Sequence, residues 1–216
     1  MVFKLPKEHI FPDPQLAEED GLIAVGGDLH PDRLLIAYQS GIFPWFSRGY
    51  PIMWWSPDPR LILFPDDFKI AASLRQTMKS SKYRISMNTC FKEVINHCAA
   101  TPRKEQNGTW ITAGMKKAYI KLHEMGFAHS IETWLDDRLV GGLYGIAIKK
   151  VFFGESMFYF EKDASKVALA YLVGLAKESG IHFIDCQMTT AHLLSLGARE
   201  ISREKYLELL KEGLSW

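Results

Sequence analysis

Residues 165–187, SKVALAYLVGLAKESGIHFIDCQ, carry the clearest structural pattern in the chain. Residues 165–177 are strongly apolar and predict a buried helix, which Gly180 ends. Residues 181–187 form a short apolar run that closes on polar side chains, and this run predicts a buried strand. A helix that leads directly into a buried strand indicates a sheet covered by helices.

The segments on either side extend this pattern. Helical spacing, polar or acidic helix starts and glycine stops predict further helices over residues 68–79, 91–100, 112–124, 190–196 and 202–211. Apolar runs predict strands over residues 83–87, 129–134, 139–149, 151–159 and 200–201. This order predicts an α/β (α+β) fold with a mixed sheet flanked by helices, and it is the element order of a GNAT-type acyltransferase domain.

Proline marks a boundary in the chain. Nine of the ten prolines lie at or before Pro65, and proline interrupts both helices and central strands. The first 65 residues are therefore expected to be loop-rich, with one short helix over residues 32–40 that Gly41 ends. The sequence predicts a small proline-rich N-terminal domain over residues 1–65 and a GNAT-like domain over residues 66–216.

Charge is divided unevenly along the chain. The formal net charge of +1 argues at first against a nucleic-acid partner. However, residues 1–68 carry five cations and ten anions, whereas residues 69–216 carry a net charge of +6. Residues 69–104 hold eight cations and one anion, Glu93. Such a run forms either a solvated helix face or a phosphate-binding surface, and taken alone it leaves both open.

Several classes of protein lack support in the sequence. No run approaches the ~20 consecutive apolar residues of a membrane span, and the N-terminus lacks the apolar core of a signal peptide, so we expect a cytoplasmic protein. Three cysteines without paired spacing predict reduced thiols, and the seven histidines show no ligand spacing with them, so no metal is expected.

Familiar catalytic motifs are also missing. The sequence lacks the common phosphate-binding, dinucleotide-binding, zinc-protease and serine-hydrolase motifs. It lacks as well the [QR]xxGx[GA] motif by which GNAT acetyltransferases hold coenzyme A. No cofactor is therefore expected, and the acyl group of an acyltransferase would arrive on another carrier.

Aromatic residues cluster in loops. GIFPWF (residues 41–46) and WWSPDPR (residues 54–60) place three of the six tryptophans within eleven residues. Trp54 and Trp55 are expected in a small core, whereas Trp45 fits either that core or a rigid platform on which a nucleic-acid base stacks. GTWI (residues 108–111) supplies a second loop tryptophan, Trp110.

Glu155 lies among aromatic residues in FFGESMFYF, residues 152–160. A charge in such surroundings is costly unless it is paired. Glu155 is therefore either a structural residue bonded to backbone amides or the partner of a cation, and the sequence favours neither.

IDCQ, residues 184–187, combines polar and apolar side chains at the end of a core strand. Strand alternation predicts that Asp185 and Gln187 share one face and that Ile184 and Cys186 share the other. The polar pair then either satisfies itself and caps the next helix, or points into a cavity. Cys186, on the opposite face, is expected to be a core thiol.

Nine motifs occur in order along the chain, within a resemblance that extends from about Phe11 to Ile201. They are GGDL (26–29), GIFPWF, WWSPDPR, GTWI, VGGLYG (140–145), GESMF (154–158), ASK (164–166), IDCQ and HLLSLGAREI (192–201). Each motif alone is weak, but together they resemble the leucyl/phenylalanyl-tRNA–protein transferase family.

The resemblance implies an aminoacyltransferase. It implies transfer of Leu or Phe, and less efficiently Met, from the 3′ end of an aminoacyl-tRNA to the N-terminal α-amine of a protein that begins with Arg or Lys. The product would carry an N-degron for proteolysis. The partners are thus aminoacyl-tRNA and such proteins, with no membrane, and the family precedent implies a monomer with a small N-terminal domain before a GNAT-like one.

The resemblance also implies roles for individual residues. Trp45 and Trp110 would hold the terminal adenosine. The pocket for the aminoacyl side chain would be lined by Leu143, Phe152, Met157, Leu172 and Ile184. The catalytic residues would be Asp185 and Gln187 from IDCQ and Glu155 from GESMF. In this light residues 69–104 are favoured as a surface for the tRNA acceptor stem, with Lys79, Lys82 and Arg84 as tRNA-binding residues.

The implied chemistry is aminolysis of an activated ester. An α-amino group has a pKa of ~7.7–8.0, so only a modest base is needed near neutral pH. We expect Asp185 and Gln187 to orient the incoming amine, and Glu155 to fix the cationic or amine end of the substrates. Alternatively, the 2′-hydroxyl of the adenosine shuttles the proton and the protein mainly positions the reactants.

Two rival classes are open from the residues alone. A GNAT acyl-coenzyme A transferase would need pyrophosphate contacts that the sequence lacks. A noncatalytic RNA-binding module would explain the basic run and the loop tryptophans, but it leaves Asp185, Gln187 and Glu155 without a task. Transfer of labelled leucine from tRNA to an Arg-initiated peptide would separate all three.

Overall fold

A computed structural model describes residues 2–101 and 109–215 of the chain. Within these ranges the strands are β1 (Phe3–Leu5), β2 (Leu22–Gly26), β3 (Phe43–Pro44), β4 (Met53–Trp55), β5 (Arg60–Leu63), β6 (Arg84–Met87), β7 (Ala128–Leu135), β8 (Arg138–Ile148), β9 (Val151–Tyr159), β10 (Phe183–Gln187) and β11 (Arg199–Ile201). The helices are α1 (Pro31–Gln39), α2 (Ala72–Lys79), α3 (Phe91–Ala100), α4 (Ala113–Glu124), α5 (Ala164–Glu178), α6 (Ala191–Ser195) and α7 (Arg203–Leu214).

The N-terminal part of the chain forms a small sheet. Its strand order is β1-β2-β4-β3, with β1 and β2 parallel. The strands are two to five residues long and are joined by loops, as the prolines predict. The sequence predicts α1 but not the strands, because runs this short show no usable alternation.

A seven-stranded sheet forms the larger part of the molecule. Its strand order is β11-β5-β10-β9-β8-β7-β6. β9 and β10 are parallel, and the other neighbouring strands are antiparallel. This mixed sheet confirms the predicted α/β class. Because β5 lies in it, the chain passes from one sheet to the other between Trp55 and Arg60; the division at residue 65 stays a prediction.

Helices cover both faces of the large sheet. Phe152 of β9 and Ile184 of β10 pack beneath α5 in one apolar cluster. Their neighbours Phe153 and Phe183 enter a second cluster with side chains of α1, α3, α4 and α7. Since successive strand residues point to opposite faces, the two clusters lie on the two sides of the sheet, as the sequence predicts.

The start of α2 differs from its prediction. The acidic residues that suggest a helix start at residue 68 instead form a 3₁₀ turn, Pro65–Asp67, and the helix begins only at Ala72. The backbone N–H of Lys69 donates to the carbonyl of Leu196, which holds the intervening segment extended. In the described ranges no helix combines the length and apolar character that a membrane crossing requires.

Candidate active site

The two parallel strands β9 and β10 separate at their carboxyl ends. They pair only as far as Phe153 and Asp185, after which β9 continues on β8 and β10 on β5. The carboxyl ends of parallel strands are where α/β sheets commonly open a crevice. A cavity of about 460 Å³ lies at this point.

Each of the two strands carries a β-bulge where it leaves the other. In β9 the extra residue is Glu155, which has no partner on β8. In β10 the extra residue is Cys186, and Gln187 after it has a φ of 65°. Bulges re-aim side chains and are common beside active sites. Here they bring Glu155 and Gln187 together, with Gln187 Nε2 donating to Glu155 Oε1 at 2.9 Å.

The bulge in β10 gives the two polar residues of IDCQ different positions relative to the cavity. Gln187 lines the cavity together with Ile184 and Cys186, whereas Asp185 does not. The two polar side chains therefore have different surroundings, whereas Ile184 and Cys186 pack in the same apolar cluster, as the sequence predicts. Cys186 is half-buried, lining the cavity while it packs against that core cluster, and burial raises its thiol pKa far above the ordinary value, which keeps it protonated.

Apolar side chains form one side of the cavity. All the residues that the resemblance assigns to a side-chain pocket line it, namely Leu143, Phe152, Met157, Leu172 and Ile184. Leu169, one turn before Leu172 on α5, joins them. The structure therefore collects these residues around one space, beneath α5.

Tryptophans from two loops form another part of the cavity wall. Trp45 and Trp110 both line it. The indole N–H of Trp55 donates to the carbonyl of Trp45 at 2.7 Å, and the two rings meet edge to face at 5.7 Å. Trp54, expected in a small core, is fully buried. Trp45 thus rests on a rigid aromatic support, as a stacking platform requires.

The carboxylate of Glu155 accepts hydrogen bonds from two hydroxyl groups that lie on the face of the sheet away from α5. Tyr38 of α1 donates to Oε1 at 2.7 Å, and Tyr119 of α4 donates to Oε2 at 2.9 Å. The two tyrosine hydroxyls also contact one another. Burial raises the pKa of Glu155 to about 7, against the hydrogen bonds from Tyr38, Tyr119 and Gln187, which lower it.

Asp185 is fully buried and its carboxylate is saturated by protein donors. Oδ1 accepts from Arg60 Nε at 2.9 Å and from the backbone N–H of Gln187 at 3.0 Å. Oδ2 accepts from Arg60 Nη2 at 2.7 Å and from the Tyr206 hydroxyl at 2.9 Å. Asp185 therefore fixes the backbone of Gln187 instead of facing the cavity.

Arg60 completes this buried group. Burial would lower its pKa, but the charge of Asp185 outweighs this effect and raises it above the ordinary value. The guanidinium lies between the rings of Phe43 and Tyr206, at 4.8 and 4.4 Å, and Nη1 donates to the carbonyl of Gly41. Arg60 therefore ties the loop that carries Trp45 to the strand that carries Gln187.

This arrangement has a defined chemical capacity. The side-chain amide of Gln187 donates to Glu155, which leaves its carbonyl oxygen as an acceptor. Among the described residues that line the cavity, Glu155 alone has a carboxylate. The site therefore combines an aromatic platform, an apolar pocket, one carboxylate and one oriented amide, which suits an amine acting on a bound acyl group.

Comparison with known families agrees with this geometry. The profile of the leucyl/phenylalanyl-tRNA protein transferase family matches residues 62–211, and the profile of that family's N-terminal domain matches residues 27–58. The chain belongs to this family. It is therefore an aminoacyltransferase.

Relatives of the transferase match along almost its full length. A leucyl/phenylalanyl-tRNA–protein transferase from Syntrophobacter fumaroxidans is 54% identical over 213 residues, which cover 99% of this chain and 91% of the relative. One from Thermodesulfovibrio yellowstonii is 54% identical over 212 residues, which cover 98% and 86% of the two chains.

Similarity to solved structures is distant. An aminoglycoside acetyltransferase from an uncultured soil metagenomic sample matches with a TM-score of 0.41 and 13% identity, over 54% of this chain and 85% of that one. The L-PGS structure from Bacillus licheniformis matches with a TM-score of 0.44 and 14% identity, over 78% and 55% of the two chains. Likenesses this weak say nothing about the activity of the transferase.

The basic residues of the transferase lie outside the cavity. Lys79 is at the end of α2, and Lys82 and Arg84 follow at the start of β6; all three are exposed. Lys82 pairs with Glu161 at 3.4 Å, and Arg84 stacks on Trp134. The last cations of the predicted basic run, Arg103 and Lys104, lie outside the described residues, as does Gly108 of GTWI.

The sequence does not predict four members of the site, namely Tyr38, Tyr119, Arg60 and Tyr206. Two signals were available. A carboxylate in an aromatic strand needs donors, and Tyr38 and Tyr119 occupy apolar helix faces. Likewise an arginine that opens the apolar run RLIL needs an anion. Neither signal identifies the partner, because the contacts span 21 to 146 residues of chain.

One group of possible metal ligands lies elsewhere in the described part of the transferase. His9, His30 and Asp32 place ligand atoms within 4.8 Å of one another, although spacing along the sequence does not suggest it. His30 and Asp32 are exposed, and none of the three lines the cavity. The group has no part in the active site.

Proposed function

We propose that the transferase moves Leu or Phe, and less efficiently Met, from the 3′ end of aminoacyl-tRNA to the N-terminal α-amine of proteins that begin with Arg or Lys. The reaction forms a peptide bond, and the product is an N-degron for proteolysis. Charged tRNA is a cytoplasmic substrate, so the proposal places the enzyme there, acting as a monomer.

One observation carries this proposal. A single cavity joins the Trp45 and Trp110 loops, the apolar pocket beneath α5 and the Glu155–Gln187 pair. A terminal adenosine, an aminoacyl side chain and an amine need these three environments side by side. The family membership of the chain supports the same assignment.

The apolar pocket determines the choice of donor. Its wall is made of leucine, isoleucine, methionine and phenylalanine side chains, with Leu169 and Leu172 from α5. The side chains of Leu, Phe and Met are not branched at the β-carbon and fit a narrow pocket entrance. Ile and Val are branched at the β-carbon, so we expect steric exclusion of both. Smaller side chains lose only ~1–3 kcal/mol per missing methylene, so rejection of them is partial.

Gln187 is placed to orient the nucleophile. Its carbonyl oxygen accepts a hydrogen bond from the amine while the amine nitrogen attacks the ester carbonyl carbon. The bond to the ribose 3′-oxygen then breaks, and the proton released by the amine passes to that oxygen, directly or through the adjacent 2′-hydroxyl. Asp185 and Arg60 act indirectly: Asp185 accepts a hydrogen bond from the backbone N–H of Gln187, and Arg60 holds Asp185 in position.

Glu155 is the proposed partner of the acceptor protein. Its carboxylate is the acidic group at the cavity among the described residues, and a cationic Arg or Lys side chain requires such a group. Tyr38 donates a hydrogen bond to one of its oxygens and Tyr119 to the other, which keeps the carboxylate in place. The carboxylate therefore selects basic N-terminal residues.

A matrix of donors and acceptors tests this function. Leucyl-, phenylalanyl-, methionyl- and isoleucyl-tRNA are each mixed with otherwise identical peptides that begin with Arg, Lys or Glu, and kcat/KM is measured. We expect Leu and Phe to be transferred fastest, Met more slowly and Ile least, to Arg and Lys peptides only. Equal rates for Leu and Ile would contradict the pocket, and equal rates for Arg and Glu peptides would contradict the role of Glu155.

A further inference from the structure

The side chains of His9, His30 and Asp32 come together at the start of α1, away from the cavity. His9 belongs to the segment between β1 and β2, His30 is the residue that caps α1, and Asp32 lies in its first turn. Each side chain offers one nitrogen or oxygen atom as a metal ligand, and these atoms lie within 4.8 Å of one another. The proposed transfer reaction uses none of the three, because none of them lines the cavity.

The distances within this group approach those of a zinc site. Zinc–ligand bonds of about 2.0–2.2 Å place neighbouring ligand atoms of a tetrahedral site about 3.3–3.6 Å apart. His30 Nδ1 lies 3.5 Å from Asp32 Oδ2, a separation that one ion can bridge. The rings of His9 and His30 face each other, with their centroids 5.1 Å apart. The side chains of His30 and Asp32 are 55% and 61% exposed, so they can rotate to shorten the longest separation.

Arg33 holds together the two segments that carry the ligands. Its side chain is fully buried, and Nη2 donates to the carbonyls of Pro6 and Lys7, each at 3.0 Å. Pro6 and Lys7 lead directly to His9, whereas Arg33 itself lies at the start of α1. The fold therefore brings the ligands together before an ion binds, which reduces the entropy cost of binding.

The charged groups around the cluster favour a cation. Asp28 Oδ1 lies 4.0 Å from His9 Nε2, and Asp32 supplies a second carboxylate. Asp28 is fixed in place, because Oδ1 accepts from the backbone N–H of His30 at 2.8 Å and Oδ2 accepts from Arg33 Nη2 at 3.3 Å. Hydrogen-bonded groups of this kind commonly surround the ligands of metal sites. Two imidazoles and a carboxylate suit Zn²⁺, whereas Mg²⁺ prefers oxygen ligands.

We propose that His9, His30 and Asp32 bind one divalent ion of the zinc type, with water completing the tetrahedral coordination. The ion joins the segment after β1 to the start of α1 and thereby stabilises the N-terminal part of the molecule. Its role is structural, because the group lies apart from the cavity. This inference does not depend on the proposed function.

Calorimetric titration with ZnCl₂ tests the site, with MgCl₂ as the control salt and with protein that carries no histidine tag. His9→Ala and Asp32→Asn each remove one ligand. His30→Asn removes the imidazole but keeps a side chain that caps α1, where His30 Nδ1 accepts from the backbone N–H of Asp32 at 3.3 Å. His182→Ala, at an exposed histidine in another part of the chain, is the matched control.

We expect wild type and His182→Ala to bind one Zn²⁺ per chain with equal affinity, and each ligand variant to bind it at least about tenfold more weakly. At a hundred times Kd, Zn²⁺ should raise the melting temperature of wild type by about 5–10 °C. Full Zn²⁺ affinity in the ligand variants would place the ion elsewhere and overturn the proposal. Zn²⁺ binding no tighter than Mg²⁺ binding would overturn it as well, because it would show an adventitious ion only.

Discussion

Arg60 and Asp185 form an ion pair that is enclosed by protein, and each compensates the buried charge of the other. Removing one partner from such a pair leaves an uncompensated buried charge, which typically costs about 3–5 kcal/mol. The pair also holds the backbone of Gln187 and, through the Gly41 carbonyl, the loop of Trp45. Its loss should therefore affect both folding and catalysis.

Arg60→Met is the direct test at this residue. We expect it to lower the free energy of unfolding by about 3–5 kcal/mol, measured by urea denaturation. Arg199→Met is the matched control, because Arg199 pairs with Asp67 at 3.6 Å on the exposed surface, where such pairs contribute about 0–1 kcal/mol. Equal losses in the two variants would show that the buried pair contributes no more to the free energy of unfolding than the exposed pair does.

Glu155 gives a second prediction, through its protonation. Its pKa is about 7 in the folded protein against an ordinary 4.5, so folding favours the protonated form. The corresponding stability is fully present below pH 4.5 and is lost as the pH rises through about 7. Glu155→Gln, which is neutral throughout, should lose less thermal stability than wild type between pH 5 and pH 8.

The control for this titration is an exposed carboxylate. Glu178→Gln, on the surface of α5, should leave the pH dependence of the melting temperature as it is in wild type. If Glu155→Gln follows the wild-type curve as closely as Glu178→Gln does, the carboxylate of Glu155 is not penalised by its surroundings.

At the scale of elements, the active site depends on the bulge in β9 and on the glycine that faces it. Gly145 of β8 pairs with Gly154, directly before Glu155. A β-carbon at Gly145 would overlap the carbonyl oxygen of Phe153 and the ring of Phe152. The bulge therefore requires glycine at this position of β8.

Gly145→Ala should accordingly disturb the bulge, destabilise the protein by about 1–3 kcal/mol and reduce transfer. Gly174→Ala is its control: Gly174 lies within α5 with open space around it, so alanine there should stabilise the fold by about 0.5–1 kcal/mol. Melting temperatures of the two variants should move in opposite directions. A shift in the same direction would contradict this reading of β8.

The elements show how far the sequence alone reaches. α3 and β9 have the predicted bounds, because their apolar spacing and flanking residues are unambiguous. The two bulges could not be predicted, since a bulge is set by pairing with another strand and leaves no local pattern. For that reason the sequence predicts IDCQ as a strand, but it does not predict that Cys186 is an extra residue opposite β5 or that only Gln187 of the polar pair reaches the cavity.

The site shows the same limit. The cavity-lining residues follow from motifs that resemble a known family, and the structure brings them together at the end of β9 and β10. The hydroxyls of Tyr38 and Tyr119 on Glu155 come from helices far away in sequence. Only the packed fold brings such donors to the carboxylate, so no local pattern reveals them.

At the scale of the whole molecule, the charge of the transferase is segregated. Ten of its 25 acidic residues lie in the first 68 positions, while the exposed cations Lys79, Lys82 and Arg84 follow one another along α2 and β6. A net charge of +1 therefore conceals this segregation, and we propose that the exposed cations bind the phosphate groups of tRNA. Affinity for tRNA should fall steeply with salt, because bound cations release counterions from the nucleic acid.

Charge reversal measures this contribution. Lys79→Glu or Arg84→Glu should weaken tRNA binding at low salt and reduce the slope of log affinity against log salt by about 0.7–0.9 or more. Lys211→Glu, the same change on the exposed side of α7, should leave both quantities near wild type. Equal effects of all three variants would show that residues 69–104 form an ordinary solvated surface with no specific role in tRNA binding.

The most direct measurement of the central claim is the fate of the aminoacyl group. Wild-type protein is mixed with leucyl-tRNA labelled in the leucine and with a peptide that begins with Arg, and the products are sequenced by mass spectrometry. We expect labelled leucine joined by a peptide bond to the α-amine of the arginine. Label that stays on the tRNA, appears only as free leucine, or reaches a lysine side chain instead would contradict it.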